Sequence, residues 1–285
     1  MRVAVVGAGG FLGRALCSRL EVLGHSVVRL SSKSGDFEAG SGLLTTPRLP
    51  DGIDAGVYLA QSPHGRSGPE RADHLWNVNV TSALRAHRLV AAAGGYRFLY
   101  ASTGSVYAPA FAAHRESDPV DRSSAYPLSK IHAEEALALD AGDVDVSVLR
   151  LFGIFGAGQH ARLFPRLCEA IRAERPVDLF PAAAGAQDRG LRLSLCHVDD
   201  AVDVIIALLP VLGLPRVNVA APAPTTMYDL AREIGRNLGC PPHFSYAPEP
   251  RTCDLLADTS LLAGLRVHDF PPLADRIAMS CTELP

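Results

Sequence analysis

The sequence has no excess of basic charge, no closely spaced cysteine pair and very few lysines. The formal net charge is −3 and no basic patch stands out, so nucleic acid is not expected as a partner. The six cysteines include no Cys-x-x-Cys pair, which predicts a reduced, cytoplasmic protein without bound metal. The apolar run at residues 3–6 is far too short to span a membrane and leads into glycines, unlike a signal-peptide core.

What the chain does contain is apolar sequence in short, alternating segments. Hydrophobic residues make up 48% of its 285 residues, enough to bury a sizeable core. Short β-branched runs predict strands, and apolar residues at helical spacing predict helices. The predicted strands cover residues 3–6, 26–30, 56–60, 97–101 and 145–149, and the predicted helices cover residues 14–23, 70–93 and 125–141. This alternation predicts an α/β fold, a Rossmann-type doubly wound parallel sheet with helices on both faces.

The pattern loosens after residue 150, where prolines separate smaller elements. The predicted helices there cover residues 163–175, 200–209 and 225–238, and the predicted strands cover residues 191–198 and 217–219. We therefore expect residues 1–160 to form the doubly wound domain. Residues 161–285 would form a smaller substrate-binding lobe, partly interleaved with the first domain.

A glycine-rich segment, GAGGFLG, follows the first predicted strand and opens the first predicted helix. Its three-residue glycine spacing suits a tight turn, a bare backbone beside a pyrophosphate and close helix packing, and the helix N-terminus favours phosphate. The alternative is a plain glycine turn in a flavodoxin-like sheet. We predict an NAD(P)-binding domain whose dinucleotide contacts Gly7, Gly10, Phe11, Leu12, Gly13 and, after the third strand, Ala60.

The second strand ends without the acidic residue that NAD-binding proteins use to hold the adenosine ribose. No carboxylate occurs before Asp36, and Lys33 is one of only two lysines among the 27 basic residues. Hydroxyls and a cation suit a 2′-phosphate because they add donors and positive charge without repulsion. We therefore expect NADP rather than NAD, bound here by Ser31, Ser32 and Lys33. The alternative is a solvated loop with no effect on the choice of cofactor.

The second lysine lies four residues after a tyrosine on a predicted helix, which places Tyr126 and Lys130 on one helical face. A free phenol has a pKa near 10 and is a poor base at neutral pH, but a neighbouring ammonium favours the phenolate. Such a tyrosine can exchange a proton with a hydroxyl or a carbonyl while hydride moves to or from the cofactor. A hydroxyl from residues 102–105 could bind the reacting oxygen beside it. By itself, the pair could equally be a surface i, i+4 contact.

Together these segments resemble the extended short-chain dehydrogenase/reductase family, in the branch of nucleotide-sugar epimerases, dehydratases and ketoreductases. Four segments carry the resemblance beside the glycines and the Tyr-Lys pair: NVNVT at 77–81, STGSVY at 102–107, RLFGIFG at 150–156 and CHVDD at 196–200. The resemblance covers most of the chain. It implies a homodimer formed through helices such as those predicted at 70–93 and 125–141.

The same resemblance implies roles for individual residues. Tyr126 would be the acid/base, Lys130 would tune it and hold the nicotinamide ribose, and Thr103 would orient the substrate oxygen. Asn79 would brace the backbone of the active site and contribute to cofactor binding. Gln61 and His64, in the loop after the third strand, are the predicted substrate contacts in this part of the chain. For His64 a solvated loop position is the alternative.

Departures from the family pattern bear on the substrate. Family dehydratases usually carry Asp-Glu after the catalytic threonine, where this chain has Gly104 and Ser105, so dehydration of that type is not expected. Gly153 stands where relatives use an asparagine to hold the nucleotide diphosphate. Leu193 stands where they use an arginine, and Arg192, one residue away, is the predicted substrate contact.

The expected activity is an NAD(P)-dependent epimerase or ketoreductase acting on a nucleotide-linked sugar by hydride transfer. Two alternatives stay open. An NADPH-dependent reductase of a non-sugar carbonyl compound is favoured by Gly153. A non-catalytic dinucleotide-sensing protein is disfavoured because the chain keeps both Tyr126 and Lys130.

Overall fold

A computed structural model describes residues 1–64, 71–160 and 162–283 of the chain, which divides into two compact units. The first unit comprises Met1–Tyr107, Pro119–Arg150 and Val202–Val217. The second unit comprises Ala108–Asp118, Leu151–Ala201 and Asn218–Pro285. Residues 202–217 follow the sequence boundary expected at residue 160, yet they belong to the first unit.

The described residues form short strands and helices along the whole chain. The strands are β1 (Arg2–Val6), β2 (Ser26–Leu30), β3 (Ala55–Tyr58), β4 (Arg97–Thr103), β5 (Asp145–Leu151), β6 (Ile154–Phe155), β7 (Val177–Leu179), β8 (Arg192–Leu193), β9 (Cys196–His197), β10 (Arg216–Val219), β11 (Thr225–Thr226) and β12 (Phe244–Tyr246). The helices are α1 (Phe11–Val22), α2 (Ala72–Trp76), α3 (Ser82–Ala92), α4 (Ala125–Asp140), α5 (Leu163–Arg172), α6 (Val198–Leu208), α7 (Met227–Leu238), α8 (Ser260–Leu265) and α9 (Leu273–Thr282).

A six-stranded sheet of order β10-β5-β4-β3-β1-β2 organises the first unit. β1 pairs in parallel with both β2 and β3, and β3 pairs in parallel with β4. Every residue of β3 is buried, as expected where helices cover both faces of a parallel sheet. The predicted doubly wound sheet is confirmed. Its strand order reverses between β3 and β1, and ligands of such sheets bind at the carboxyl ends of the strands beside this point.

The helix predicted over residues 70–93 is interrupted. Between α2 and α3 a π-helical turn spans Asn77–Thr81, in which the Ser82 N–H donates to the Asn77 carbonyl five residues back. The Tyr58 hydroxyl donates to the Val78 carbonyl. The Tyr100 hydroxyl donates to the Asn79 carbonyl at 3.0 Å. Helical periodicity could not reveal this turn, because the tyrosines come from β3 and β4. The predicted helix start at residue 70 lies outside the described residues.

The second unit contains smaller sheets than the sequence suggests. The single strand predicted over residues 191–198 is two strands, because β8 pairs with β11 and β9 pairs with β6. Between them, the Ser194 N–H donates to the Leu255 carbonyl at 2.8 Å. The sequence also did not predict β7, β12, α8 and α9. An apolar cluster that includes Phe155, Phe164, Leu230 and Ile277 forms the core of this unit.

A fully buried arginine joins distant segments of the first unit. Arg97 on β4 donates to Ser147 Oγ at 2.8 Å and to the Leu208 carbonyl at 3.2 Å, and it forms an ion pair with Asp145. Burial lowers the pKa of the Arg97 guanidinium, and Asp145 opposes this effect.

In the described part of the chain, no helix combines the length and apolar character that a membrane crossing requires.

Replacing Arg97 with methionine should destabilise the first unit. The Arg97→Met change removes the ion pair with Asp145 and the hydrogen bonds to Ser147 and the Leu208 carbonyl, at a cost of about 3 kcal/mol in the free energy of unfolding. Urea denaturation measures this value. The matched control is Arg88→Met, since Arg88 pairs with Asp140 but exposes 68% of its side chain. Equal stability of the two variants would contradict a special contribution from the buried arginine.

Candidate active site

The turn between β1 and α1 requires glycine at its first position. Gly7 has φ +92°, a left-handed conformation that strains any residue with a Cβ. The N–H groups of Gly7 and Ala8 both donate to the Leu30 carbonyl, at 2.8 and 3.1 Å. The Gly10 N–H donates to the Gly7 carbonyl at 3.0 Å, and α1 begins directly afterwards at Phe11.

The glycine loop leaves no space for side chains where the helix meets the strands. A Cβ at Gly13 would lie 2.1 Å from the Gly7 carbonyl oxygen, and one at Gly7 would lie 2.6 Å from the Ala60 nitrogen. The first amide groups of α1, on Phe11, Leu12 and Gly13, have no acceptor within the helix. Bare backbone beside a helix N-terminus is what a pyrophosphate requires, so these residues fit a bound dinucleotide.

A hydroxyl-rich turn, Ser32–Ser34, follows β2. It brings the Asp36 carboxylate close to the end of the strand. Asp36 accepts hydrogen bonds from Ser31 N at 2.9 Å, Ser34 Oγ at 2.6 Å and Thr46 Oγ1 at 2.9 Å. Burial alone would raise the pKa of the Asp36 carboxyl, but these hydrogen bonds outweigh burial and lower the pKa. Asp36 lies six residues after the end of β2 in the sequence, yet its carboxylate is close to that end in space. The carboxylate is held there by donors of its own loop.

A cavity of about 400 Å³ opens beside this turn. It is lined by four small residues and three cations: Ala8, Gly9, Ser31, Ser34, Arg14, Arg29 and Lys33. Arg29 pairs with both oxygens of Glu21 at 2.7 Å, and Arg14 donates to the Gly9 carbonyl at 2.8 Å. Such a group of cations favours an anionic ligand. Lys33 was predicted from the sequence, whereas Arg14 was not. The available signal for Arg14 was its position in the first turn after the glycine loop.

Lys130 is buried in the first unit, with 3% of its surface exposed. Its Nζ donates to the Ala101 carbonyl at 2.8 Å and lies 4.7 Å from the centre of the Tyr100 ring. Burial lowers the pKa of the Lys130 ammonium to about 7, against the opposing effect of Glu134. Tyr126, half-buried, lies one helical turn earlier on α4. The charge state of Lys130 near neutral pH is therefore sensitive to its neighbours.

Asn79 connects the π-helical turn to the start of α4. Its fully buried amide donates from Nδ2 to Ser129 Oγ at 2.9 Å, and Ser129 Oγ donates to the Tyr126 carbonyl at 2.8 Å. The Asn79 Oδ1 accepts from the Ser62 N–H at 3.4 Å. This geometry suits the bracing role that the resemblance implied. The tyrosines that hold the turn, Tyr58 and Tyr100, were missed by the sequence analysis because their hydroxyls act on backbone carbonyls.

Thr103 ends β4, two residues after the carbonyl that binds Lys130. Its Oγ1 accepts from the Ser105 N–H at 3.2 Å and caps a short 3₁₀ turn, Gly104–Val106. A hydroxyl that accepts such a bond keeps its own proton for donation to a reacting oxygen. The carboxyl end of β4 therefore carries both the anchor of Lys130 and a hydroxyl donor.

The predicted substrate residues lie in different places. Gln61 is exposed beside Ala60, and His64 Nε2 lies 2.7 Å from a guanidinium nitrogen of Arg71. The following residues, 65–70, are outside the described part. Arg192 belongs to the second unit, where it donates to Asp254 Oδ2 at 2.7 Å and to the Phe111 carbonyl at 2.6 Å. Their contacts with substrate stay predictions.

Comparison with known proteins is consistent with this site. The sequence profile of the NAD dependent epimerase/dehydratase family matches residues 3–220. The chain is 29% identical over 278 residues to dTDP-6-deoxy-L-talose 4-dehydrogenase (NAD(P)(+)) of Kitasatospora kifunensis, covering 87% of this chain and 83% of that relative. It is 28% identical over 283 residues to UDP-glucose 4-epimerase of Mycolicibacterium smegmatis, covering 90% of this chain and 88% of that relative.

The fold is also similar to a solved structure. A crystal structure of a UDP-glucuronic acid 4-epimerase mutant from Bacillus cereus, in complex with a fluorinated UDP-sugar and NAD, superposes with a TM-score of 0.82. The match covers 99% of this chain and 98% of the other, at 19% sequence identity. At that identity the likeness establishes the fold alone.

The packing of the glycine loop can be tested by adding single methyl groups. Gly13→Ala should lower the free energy of unfolding by about 2 kcal/mol or more and weaken dinucleotide binding, because its Cβ collides with the Gly7 carbonyl. Gly9→Ala is the matched control for stability, since its Cβ would lie 3.4 Å from its nearest neighbour, an ordinary contact. Thermal melting and fluorescence titration with NADPH measure both effects. Similar melting curves for the two variants would refute the close packing.

Proposed function

The chain belongs to the NAD dependent epimerase/dehydratase family, and we propose that it is an NAD(P)-dependent epimerase or ketoreductase of a nucleotide-linked sugar. The observation that carries the proposal is the buried Lys130 ammonium, held on the Ala101 carbonyl one helical turn after Tyr126. Dinucleotide binding is assigned to Gly7, Gly10, Phe11, Leu12, Gly13, Ala60, Asn79, Tyr126 and Lys130. The two relatives, which act on dTDP- and UDP-linked sugars by name, support the substrate class.

Tyr126 and Lys130 would move the proton of the reaction. A bound nicotinamide dinucleotide supplies or accepts the hydride. Tyr126 as phenolate takes the proton from a sugar hydroxyl during oxidation, and as phenol it returns a proton to the carbonyl oxygen during reduction. The Lys130 ammonium stabilises the phenolate through its positive charge. Its second contribution would be a hydrogen bond to the nicotinamide ribose.

Thr103 would orient the reacting oxygen from the end of β4. Its hydroxyl accepts from the Ser105 N–H. It would donate its own proton toward the oxygen that exchanges a proton with Tyr126. The turn that follows contains Gly104 and Ser105, without the acid and base that water loss needs. The proposal is therefore redox or epimerase chemistry rather than dehydration.

The assignment of Tyr126 is tested by Tyr126→Phe. Loss of the hydroxyl removes the acid/base, so kcat should fall by about 10²–10⁴-fold while the fold is retained. Turnover is measured with NADPH and a panel of nucleotide 4-keto sugars, and with nucleotide hexoses and bound cofactor. Stoichiometric loss of NADPH identifies a reductase, and inversion at carbon without net loss identifies an epimerase.

The control for this variant is Tyr96→Phe, because Tyr96 is exposed and lies outside the site. It should turn over at the wild-type rate. Turnover of Tyr126→Phe within a few-fold of wild type would remove Tyr126 from the mechanism. Inactivity of the wild-type protein on every nucleotide sugar would reject the substrate class.

NADP preference is the finer part of the cofactor proposal. Ser31 and Ser34 supply hydroxyls, and Arg14 and Lys33 supply cations, to the cavity at the end of β2. Ser32, which the sequence also suggested, is not among the residues that line it. A 2′-phosphate carries more negative charge than the ribose hydroxyl it replaces, so it gains more from these donors. The Asp36 carboxylate is engaged by its own loop and leaves the cavity with a cationic lining.

The cofactor proposal predicts a change in discrimination when either cation is removed. Arg14→Ala and Lys33→Ala should each raise KM for NADPH relative to NADH by about tenfold, because a hydrogen bond to a charged group is lost. The control is Arg19→Ala, whose side chain lies on the same helix but pairs with Asp203. An unchanged NADPH/NADH ratio in both variants would reject the assigned role of the cavity.

A reductase of a non-sugar carbonyl compound is the second candidate, and Gly153 favours it. This residue has φ +43°, and a Cβ there would lie 2.6 Å from the Ser194 carbonyl oxygen. An asparagine, which the family uses to hold a nucleotide diphosphate, would be strained at this position. Turnover of a non-sugar ketone with NADPH, without turnover of any nucleotide sugar, would select this candidate.

Two further expectations are kept as proposals. The first is a homodimer, for which Leu139 near the end of α4, 91% exposed, offers apolar surface. The second is a cytoplasmic location, which the cysteine pattern predicts.

A further inference from the structure

A buried carboxylate lies one helical turn beyond Lys130. Glu134 on α4 is 3% exposed. Arg150 on β5, also buried, donates to its two oxygens, from Nε at 3.2 Å and from the terminal nitrogen at 2.7 Å. The Ser102 hydroxyl on β4 donates to the same carboxylate. A bidentate arginine and a hydroxyl hold this carboxylate in one place.

A further cation and an aromatic ring lie beside the Glu134–Arg150 ion pair. Arg216, at the start of β10, places Nε 3.5 Å from the Glu134 carboxylate. The Arg150 guanidinium lies 4.6 Å from the centre of the Tyr107 ring. The carboxylate therefore has more positive charge around it than one ion pair requires. Stability alone does not explain a buried pair of this kind, since apolar side chains of similar volume serve as well or better.

Lys130 has few groups that can balance its charge. Its Nζ donates to the Ala101 carbonyl of β4 and lies over the face of Tyr100, whose ring stacks on Tyr58 of β3. From its own helix it is flanked by Tyr126 on one side and Glu134 on the other. Burial lowers the pKa of its ammonium to about 7, and the Glu134 carboxylate acts in the opposite direction.

We propose that Glu134 is a positioning residue whose carboxylate, clamped by Arg150 and Ser102, keeps Lys130 in the ammonium form that Tyr126 requires. This inference rests on the proposed function, which assigns the proton transfer to Tyr126. It extends the two-residue Tyr-Lys pair to a row of three along α4, spaced four residues apart.

The charge balance explains why the carboxylate matters. Without the Glu134 carboxylate, two buried cations, Arg150 and Lys130, would lose the negative charge that acts on both. An arginine does not lose its proton in a protein, whereas a buried lysine does. Lys130 would therefore become a neutral amine, and the Tyr126 phenolate would lose the positive charge that stabilises it.

The scarcity of lysine makes the inference directly measurable. The chain has two lysines, so a protein grown with ¹³C,¹⁵N-lysine gives two sets of side-chain resonances, and Lys33→Arg assigns them. Titration from pH 5 to 10.5 then yields the pKa of Lys130 without any enzyme assay. We expect a wild-type value of about 7.

The decisive variant is Glu134→Gln, which removes the charge and keeps the shape. The pKa of Lys130 should fall by about one pH unit or more, because the negative charge that raises it is lost while its burial is unchanged. Glu135→Gln is the matched control on the same helix. Glu135 is half-exposed and pairs with Arg122, and its removal should leave the pKa of Lys130 within about 0.2 of wild type.

The sign of the change separates this role from a structural one. A loosened core would admit water and raise the pKa of Lys130 toward its ordinary value, so an unchanged or raised pKa in Glu134→Gln overturns the inference. If that variant does not fold, Glu134→Asp takes its place. Its carboxylate retreats by one methylene, and the pKa of Lys130 should fall by a smaller amount. Again, no fall overturns the inference.

Kinetics then distinguish the inference from the function on which it rests. In the oxidative direction, the ionisation that controls kcat/KM should move to higher pH in Glu134→Gln, as Tyr126 loses its stabilising charge. A wild-type protein that turns over no substrate, but shows the predicted fall in the pKa of Lys130, would refute the function and keep the electrostatic coupling. An active protein with an unmoved pKa would do the opposite.

Discussion

A single buried ammonium sets the conditions for the rest of the candidate site. Taking a lysine out of water costs free energy, and the cost appears here as the lowered pKa of Lys130. A lysine in this state can change its charge near neutral pH, which a solvated lysine cannot. The Ala101 carbonyl and the face of the Tyr100 ring contact the Lys130 ammonium, and the Glu134 carboxylate raises its pKa. These groups come from two elements, so the local sequence around Lys130 is only part of its environment.

The cofactor half of the site is governed by the opposite requirement, which is to hold negative charge. Gly7 and Gly13 remove side chains from the meeting point of β1 and α1, and the helix N-terminus offers amide groups there. Arg14 and Lys33 line the cavity at the end of β2. The Asp36 carboxylate, which would repel a phosphate, accepts hydrogen bonds from Ser31, Ser34 and Thr46 of its own loop. Both halves lie at carboxyl ends of strands in one sheet, as the strand order of a doubly wound fold requires.

The residues proposed for the chemistry and those proposed for substrate choice belong to different units. Tyr126, Lys130 and Thr103 belong to the first unit, whereas Gly153 and Arg192 belong to the second. The second unit is made of short strands and small helices around its own apolar cluster, and its departures from the family pattern concern the nucleotide. The proposed redox chemistry is therefore defined more narrowly than the proposed substrate.

The sequence by itself determined the class of fold, the glycine loop and the Tyr-Lys pair. Each is encoded over a few adjacent residues, either by the periodicity of a strand or helix or by a spacing of three or four positions. Only the tertiary structure decided the break in the helix at Asn77–Thr81, the return of Asp36 to the end of β2 and the clamp on Glu134. These depend on hydrogen bonds and charges between segments far apart in the chain. Local propensity carries no record of such partners, because their proximity exists only once the sheet has formed.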